Sequence, residues 1–250
     1  MLDQGIGARV LRKEDDRHLH GRGQFVGDLA MKGLKEVAFL RSNLAHGRIR
    51  TISKPAGKEA LIVTAADLKT IKPIFADSSI PGFKASNYPA LATDKVRFVG
   101  ECLAACIADT RAAAEDLAEE IEVDIEELPA VIDSLKARAP DAPLVHDDWS
   151  DNLFLTTSVQ GDIETLAKTA PVKVTRELRT GRQCMHPMEG KGVLAYWDFQ
   201  AGQLVVYTST QVPHMIRTGL SETLGLEQRQ IRVIPPDVGG GFGYKCVLQP

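Results

Sequence analysis

The sequence lacks three features that would assign a chain to a broad class at once. No apolar run is long enough to span a bilayer, and the first residues contain neither an apolar signal core nor twin arginines. The 250 residues carry 30 Lys and Arg against 33 Asp and Glu, without any basic run. A nucleic-acid or anionic-membrane surface is therefore disfavoured, and we expect a soluble, cytoplasmic protein.

Cysteine is also scarce, since the chain has four: Cys102, Cys106, Cys184 and Cys246. They form no C-x-x-C pair and no zinc-finger spacing, so their pattern indicates neither a disulfide framework nor a structural metal. Cys102 and Cys106 lie in VRFVGECLAACIAD, a β-branched and small apolar stretch typical of a buried strand. We expect both to be small buried hydrophobic residues.

The glycine-rich segment DVGGGFGYKC matches neither of the two common phosphate-binding motifs. A G-x-G-x-x-G fingerprint that starts at Gly239 meets Tyr244 where it needs a glycine. A Walker A loop needs Gly before Lys and Ser or Thr after it, whereas Lys245 lies between Tyr244 and Cys246. Dense glycine still allows several backbone N–H groups to turn toward one anionic group. The alternative is a tight turn between a strand and a helix.

Apolar runs alternate with helical signals over residues 37–145, which predicts an α/β (α+β) fold class. DTRAAAEDLAEE predicts a helix capped by Thr110, and IEVDIEELPAVID predicts a half-buried strand that ends at Pro129. The proline-containing stretch SLKARAPDAPLVHDDWSDN is the best linker candidate. We therefore place a domain boundary near residue 145, with domains at 1–145 and 146–250.

The second half predicts the elements that lead into the glycine segment. GVLAYWDFQAGQLVVYTST indicates two strands joined at residues 198–202. VPHMIRTGLSETLG indicates a helix that has Pro213 in its first turn and ends at Gly225. QIRVIPPDV indicates a further strand, which its two prolines end. This order delivers the chain from a strand directly into the glycine loop.

Six segments, in order along the chain, resemble the opening of the molybdenum-binding subunit of the xanthine dehydrogenase/aldehyde oxidase family. They are VLRKEDDRHLHGRGQFVGDL, FLRSNLAHGRIRTI, PALATDKVRFVGECLAACIADTRAAAEDLAEEIEVDIEELPAVID, HPMEGKGVLAYWD, TSTQVPH and DVGGGFGYK. The resemblance implies a hammerhead-like domain with an N-terminal arm at 1–145. It implies the first, incomplete part of a molybdopterin cofactor-binding domain at 146–250.

The resemblance also implies site residues. Gln211, the glutamine of TSTQ, reaches the apical oxygen ligand of molybdenum, and an amide can donate there without adding charge. The alternative is a Gln that caps the helix beginning at Val212 or Pro213. The backbone N–H of Phe242 approaches the same ligand, and three glycines permit that approach: Gly240, Gly241 and Gly243. No residue of the chain is expected to be a direct metal ligand.

The activity implied is oxidation of an aldehyde, an N-heterocycle or another small carbon substrate, with water as the oxygen donor. The implied cofactor is molybdopterin-type, in its plain or cytosine dinucleotide form, and electrons pass to partner chains that hold Fe–S clusters and FAD. The remaining molybdopterin domain or a second molybdenum subunit would supply a general-base glutamate, so we expect the isolated chain to be inactive.

In the resemblance, Cys246 stands where purine-oxidising members carry a substrate-binding glutamate, so a purine substrate is less expected. Glu189 is expected to be structural. The alternative function is a non-catalytic interaction or assembly module without the cofactor.

Overall fold

The computed structural model describes residues 5–158 and 160–250 and divides them into two compact units. The hammerhead unit, as we name it from the resemblance, comprises residues 34–184. The loop unit joins residues 5–33 to Met185–Leu248. The N-terminal arm therefore has its contacts with the C-terminal segment, although the sequence analysis grouped it with residues 34–145. The domain boundary near residue 145 stays a prediction.

The described residues combine helices with short strands, which confirms the mixed fold class. The helices are α1 (Asp15–Leu19), α2 (Arg111–Glu119), α3 (Ile163–Thr169) and α4 (Pro213–Leu224). The strands are β1 (Glu36–Arg41), β2 (Gly47–Ser53), β3 (Ile62–Thr64), β4 (Ile74–Ala76), β5 (Ser86–Tyr88), β6 (Lys95–Val96), β7 (Cys102–Ala108), β8 (Glu122–Glu127), β9 (Val193–Asp198), β10 (Gln203–Thr208) and β11 (Ile231–Ile234). Each helix within residues 5–158 and 160–250 is too short or too polar to cross a bilayer.

Antiparallel sheets build the hammerhead unit. Strand β7 lies between β1 and β3, strand β2 lies between β6 and β8, and β4 pairs with β5. Helix α2 packs on β1 and β7, and the Oγ1 atom of Thr110 accepts a hydrogen bond from the Ala113 N–H at 3.2 Å. The predicted cap is confirmed. Cys106 is fully buried in this core, whereas Cys102 is half-buried.

The proline-containing stretch predicted as a linker is hydrogen-bonded to β6. The Nζ atom of Lys95, which is almost fully buried, donates to the Leu144 carbonyl at 3.0 Å and to the Asp147 carboxylate at 2.7 Å. The Asn152 side-chain amide donates to the Pro143 carbonyl at 2.9 Å and so joins the two ends of residues 143–152. These bonds hold residues 143–152 against the hammerhead unit.

A small mixed sheet organises the loop unit, in the order β11-β10-β9. Strands β9 and β10 form the predicted antiparallel pair, and β11 lies parallel to β10. A parallel pair needs a crossover connection, and α4 provides it by packing on β11. Pro213 occupies the first turn of α4 and Gly225 ends it with a φ of 69°, so both predicted helix boundaries are confirmed.

Candidate functional site

The parallel strands bring two separate segments to one edge of the sheet. Because β10 and β11 run in the same direction, their carboxyl ends lie side by side. The chain leaves β10 through Ser209, Thr210 and Gln211, and it leaves β11 into the glycine loop, which we define as residues 237–246. Ligands of open α/β sheets bind at such carboxyl edges. This edge is therefore the candidate site.

Gln211 and Gly241 are in direct contact at this edge. A Cβ atom added to Gly241 would lie 2.3 Å from the Gln211 Cδ atom, a distance that real Cβ atoms do not adopt. Gln211 does not cap α4, because the N-cap is Val212 and the Val212 N–H donates to the Thr210 hydroxyl at 3.1 Å. The glutamine amide is thus held against the loop backbone, where only glycine fits.

The backbone of the glycine loop adopts left-handed conformations at three of four successive residues. Gly240 has a φ of 95°, Phe242 a φ of 50° and Gly243 a φ of 82°. Within the described part of the chain, none of the N–H groups of residues 240–243 has a hydrogen-bond acceptor. Successive N–H groups in such conformations form a concave anion-binding nest. Phe242 is 72% exposed, so its position is not explained by packing in this unit.

A buried ion pair between Lys245 and Glu189 holds the glycine loop in place. The Nζ atom of Lys245, whose side chain has no exposed surface, donates to the Glu189 Oε2 atom at 2.7 Å. The same oxygen accepts the Gly239 N–H at 2.8 Å, and the Glu189 N–H donates to the Gly239 carbonyl at 3.1 Å. Glu189 therefore holds both polar backbone groups of Gly239. This geometry supports the structural role expected for Glu189.

Lys245 also connects the loop to the end of β10. Its carbonyl accepts the Gln211 N–H at 3.1 Å and the Thr210 hydroxyl at 3.2 Å. One residue thus fixes the loop through its side chain and the glutamine through its backbone. This role of Lys245 is not among the predictions from the sequence. Lys245 and Glu189 lie 56 residues apart, so no local pattern pairs them.

A second cation lies beside the loop. The Nζ atom of Lys191 donates to the Val247 carbonyl at 3.1 Å and lies 5.0 Å from the centre of the Tyr244 ring. Burial lowers the pKa of Lys191 from its ordinary value. Its positive charge still favours an anionic group near the loop.

Two histidines of the loop unit lie outside this arrangement. His186 and His214 are exposed, and no cluster of three potential metal-ligating side chains occurs within residues 5–158 and 160–250. Neither histidine was expected to be a ligand. Cys246 is half-buried, and its N–H donates to the Gly243 carbonyl at 3.1 Å.

The donors at this edge fit a molybdopterin-type cofactor. That group is anionic and rich in oxygen atoms, and the site offers a neutral amide and N–H groups without acceptors. A Cβ at Gly240 would lie 3.2 Å from Pro187 and one at Gly241 would overlap Gln211, so the glycines are what allow this close approach. The assignment of Gln211, Gly240, Gly241, Phe242 and Gly243 to the cofactor remains a prediction.

Two domain families match most of the chain. Residues 20–129 match the a/b hammerhead domain of aldehyde oxidase and xanthine dehydrogenase. Residues 145–250 match the molybdopterin cofactor-binding domain. The hammerhead domain followed by a molybdopterin-binding segment, as the sequence implied, is confirmed.

Relatives and solved structures agree with the domain families. The chain is 34% identical to the carbon monoxide dehydrogenase large chain of Hydrogenophaga pseudoflava and 35% identical to the nicotine 6-hydroxylase large subunit of Paenarthrobacter nicotinovorans. Each alignment covers 98% of this chain, and they cover 32% and 31% of those relatives, respectively. The crystal structure of quinoline 2-oxidoreductase from Pseudomonas putida 86 superposes with a TM-score of 0.89 at 36% identity, over 97% of this chain and 31% of that one.

The chain thus spans about a third of the length of these relatives. Its matched part contains the hammerhead domain and the beginning of the cofactor-binding domain. The chain belongs to the xanthine dehydrogenase/aldehyde oxidase family and corresponds to the N-terminal part of its molybdenum-binding subunit.

Proposed function

We propose that this chain is the N-terminal part of the molybdenum subunit of a hydroxylase that oxidises an aldehyde, an N-heterocycle or another small carbon substrate. The observation that carries the proposal is the contact of the Gln211 amide with Gly241, beside four backbone N–H groups, those of residues 240–243, that have no acceptor among the described residues. The names of the relatives support an oxidoreductase, because they are a dehydrogenase, a hydroxylase and an oxidoreductase, and they specify carbon monoxide, nicotine and quinoline as the compounds acted on. Two of these three compounds are N-heterocycles, which favours that substrate class.

In this proposal the chain holds and orients one side of the cofactor. When the cofactor is bound, the Gln211 side-chain amide and the Phe242 N–H would be the donors that hold it at this edge. The Lys245–Glu189 pair keeps both groups in place by bonding to the two segments that carry them. When bound, the cofactor supplies two-electron oxidation with water as the oxygen donor.

We propose that further polypeptide completes the enzyme. The chain covers about a third of its relatives, so we propose that the rest of the cofactor site comes from the corresponding remainder, either a second molybdopterin domain or a second molybdenum subunit. A general-base glutamate is expected there. We further propose Fe–S and FAD partner chains as the route for electrons, and either the plain or the cytosine dinucleotide form of the pterin.

The proposal is tested on the assembly that contains this chain, purified from its native cell. Dye reduction would be measured with carbon monoxide, aldehydes, nicotine and quinoline as substrates. We expect activity with at least one of them and a fall of about 100-fold in Gln211→Ala, because one orienting donor is lost. Gln200→Ala is the matched control, since Gln200 is exposed in the β9–β10 turn. Unchanged activity in Gln211→Ala would contradict the role of this amide, and an assembly without activity or molybdenum would favour the non-catalytic alternative.

A further inference from the structure

Asp237, the first residue of the glycine loop, is held by the N-terminal arm. The guanidinium of Arg17 forms a two-pronged ion pair with the Asp237 carboxylate, and its Nη2 atom lies 2.6 Å from Oδ1. The side chain of Asp237 is 11% exposed and that of Arg17 is 42% exposed, so the carboxylate is shielded from water while the guanidinium stays partly accessible. His18 adds an Nε2 atom 4.0 Å from the same carboxylate. Two-pronged Arg–carboxylate pairs are strong and fix geometry.

The backbone of the arm makes a reciprocal contact with the same residue. The Gln24 N–H donates to the Asp237 carboxylate at 2.7 Å, and the Asp237 N–H donates to the Gln24 carbonyl at 2.9 Å. The hydrogen bond from the Gln24 N–H, and after it the ion pair with Arg17, lower the pKa of the Asp237 carboxyl from its ordinary value. Arg17 and Gln24 precede Asp237 by more than 200 residues. The contact is therefore a long-range closure between the arm and the loop.

A second contact fixes the arm a few residues further on. Val26 is buried and begins a 3₁₀ turn, in which the Asp28 carboxylate accepts the Phe25 N–H at 2.9 Å. A Cβ at Gly192 would lie 3.1 Å from the side chain of Val26. Gly192 is itself bonded to the end of β10, since its carbonyl accepts the Thr208 hydroxyl at 3.0 Å. The arm thus touches the glycine loop directly at Asp237 and is connected to the end of β10 through Gly192.

We propose that Arg17 and Asp237 are positioning residues, and that they lock the arm across the start of the glycine loop so that the loop is shaped for its cofactor. Asp237 lies two positions before Gly239, whose N–H and carbonyl are both held by Glu189. The loop is then fixed at one end by the arm and at the other by Lys245. The segment between these two anchors contains the N–H groups without acceptors. This inference rests on the proposed cofactor role of the loop.

The test is hydrogen exchange on the full chain, in its native assembly, for the Arg17→Met variant. Arg17 lies far from the loop in the sequence, so a change confined to the loop reports on the lock. We expect exchange of the Gly239 and Tyr244 amides to rise by about 10-fold or more, because their bonds to Glu189 and Gly241 open more often. Amides of β10 should be unchanged. Molybdenum retained per chain should fall in the same variant.

Two further variants separate positioning from general stability. Arg12→Met is the matched control, since Arg12 lies on the same arm with a 65% exposed side chain and only distant ion-pair partners. It should leave the loop unchanged. Arg17→Lys keeps the charge without the two-pronged geometry, so it should restore part of the protection of the loop amides from exchange. If Arg17→Met does not fold, Arg17→Lys is compared with the wild type in its place.

The outcomes distinguish the lock from the cofactor role. Unchanged loop exchange in Arg17→Met, or an equal rise in the loop and in β10, would overturn the positioning role. A loop-specific rise in a chain whose wild type also carries no molybdenum would support the lock and contradict the proposed function. A loop-specific rise with full retention of molybdenum would also overturn the inference, because the loop would then not need the lock to hold its cofactor.

Discussion

Replacing Lys245 by methionine should destabilise the loop unit more than any other single charge removal near the site. Methionine fills a similar volume but leaves the Glu189 carboxylate without its cation. The exposed fraction of the Glu189 side chain is 17% and that of Lys245 is 0%, so water solvates the stranded carboxylate far less well than the ammonium group does. Breaking a buried pair costs about 3–5 kcal/mol. The Glu189 carboxylate still accepts the hydrogen bond from the Gly239 N–H in this variant. We therefore expect the free energy of unfolding to fall by about 3 kcal/mol, the lower end of that range.

The assay is urea unfolding followed by the fluorescence of one tryptophan. The chain has two tryptophans, and Trp197 lies in β9 of the loop unit, so a Trp149→Phe background isolates its signal. With a urea dependence of about 1–3 kcal/mol per molar, the midpoint should fall by about 1–3 M. Adding Glu189→Gln to Lys245→Met removes the stranded charge and should restore more than half of the loss.

Lys191→Met is the control for removing a lysine from the same neighbourhood. Lys191 bonds a carbonyl and faces the Tyr244 ring rather than a carboxylate, so its loss should cost about 1 kcal/mol. The reasoning is refuted if Lys245→Met is no more destabilising than Lys191→Met. It is also refuted if the effects of Lys245→Met and Glu189→Gln simply add, because the two side chains would then not be coupled.

Three further predictions concern other parts of the structure. Gly241→Ala should displace Gln211 and lower the molybdenum content measured by elemental analysis, whereas Gly190→Ala, with no atom within 4 Å of its added Cβ, should not. The pKa of Asp67 is lowered to about 2, chiefly by its hydrogen bond from Lys54. The ionised Asp67 carboxylate therefore stabilises the fold above its ordinary pKa of 3.8, and this stabilisation is lost as the pH falls toward 2. Between these two pH values, the free energy of unfolding of Asp67→Asn should depend less on pH than that of the wild type, as measured by urea unfolding at several pH values. Thr110→Ala should cost about 1 kcal/mol in thermal or urea unfolding, and Thr110→Ser should recover most of it.

Local patterns predicted the elements that position the site. Thr110 and Gly225 identified the ends of two helices because capping and left-handed glycine are local properties. The prolines after Ile234 likewise identified the end of β11. The order of helix α4, strand β11 and the glycine loop could therefore be predicted from the sequence.

The contacts that hold the site could not be predicted in the same way. The bond from Lys245 to Glu189 spans 56 residues and the pair between Arg17 and Asp237 spans 220, so no local spacing reveals either one. The parallel register of β10 and β11 brings Gln211 next to Gly241. That register is a tertiary property, which pattern alone does not specify. The family resemblance indicated that Gln211 and the glycine loop approach one ligand, and the structure adds the bonds from Lys245 that hold the two segments together.

The central claim is that the glycine loop and Gln211 hold a molybdopterin-type cofactor. The most direct measurement is the molybdenum and pterin content of the chain, purified from its native cell together with the chains that accompany it. The account predicts about one molybdenum and one pterin per chain, together with larger co-purifying polypeptides that supply the rest of the site. A metal-free, pterin-free chain that purifies alone would contradict it.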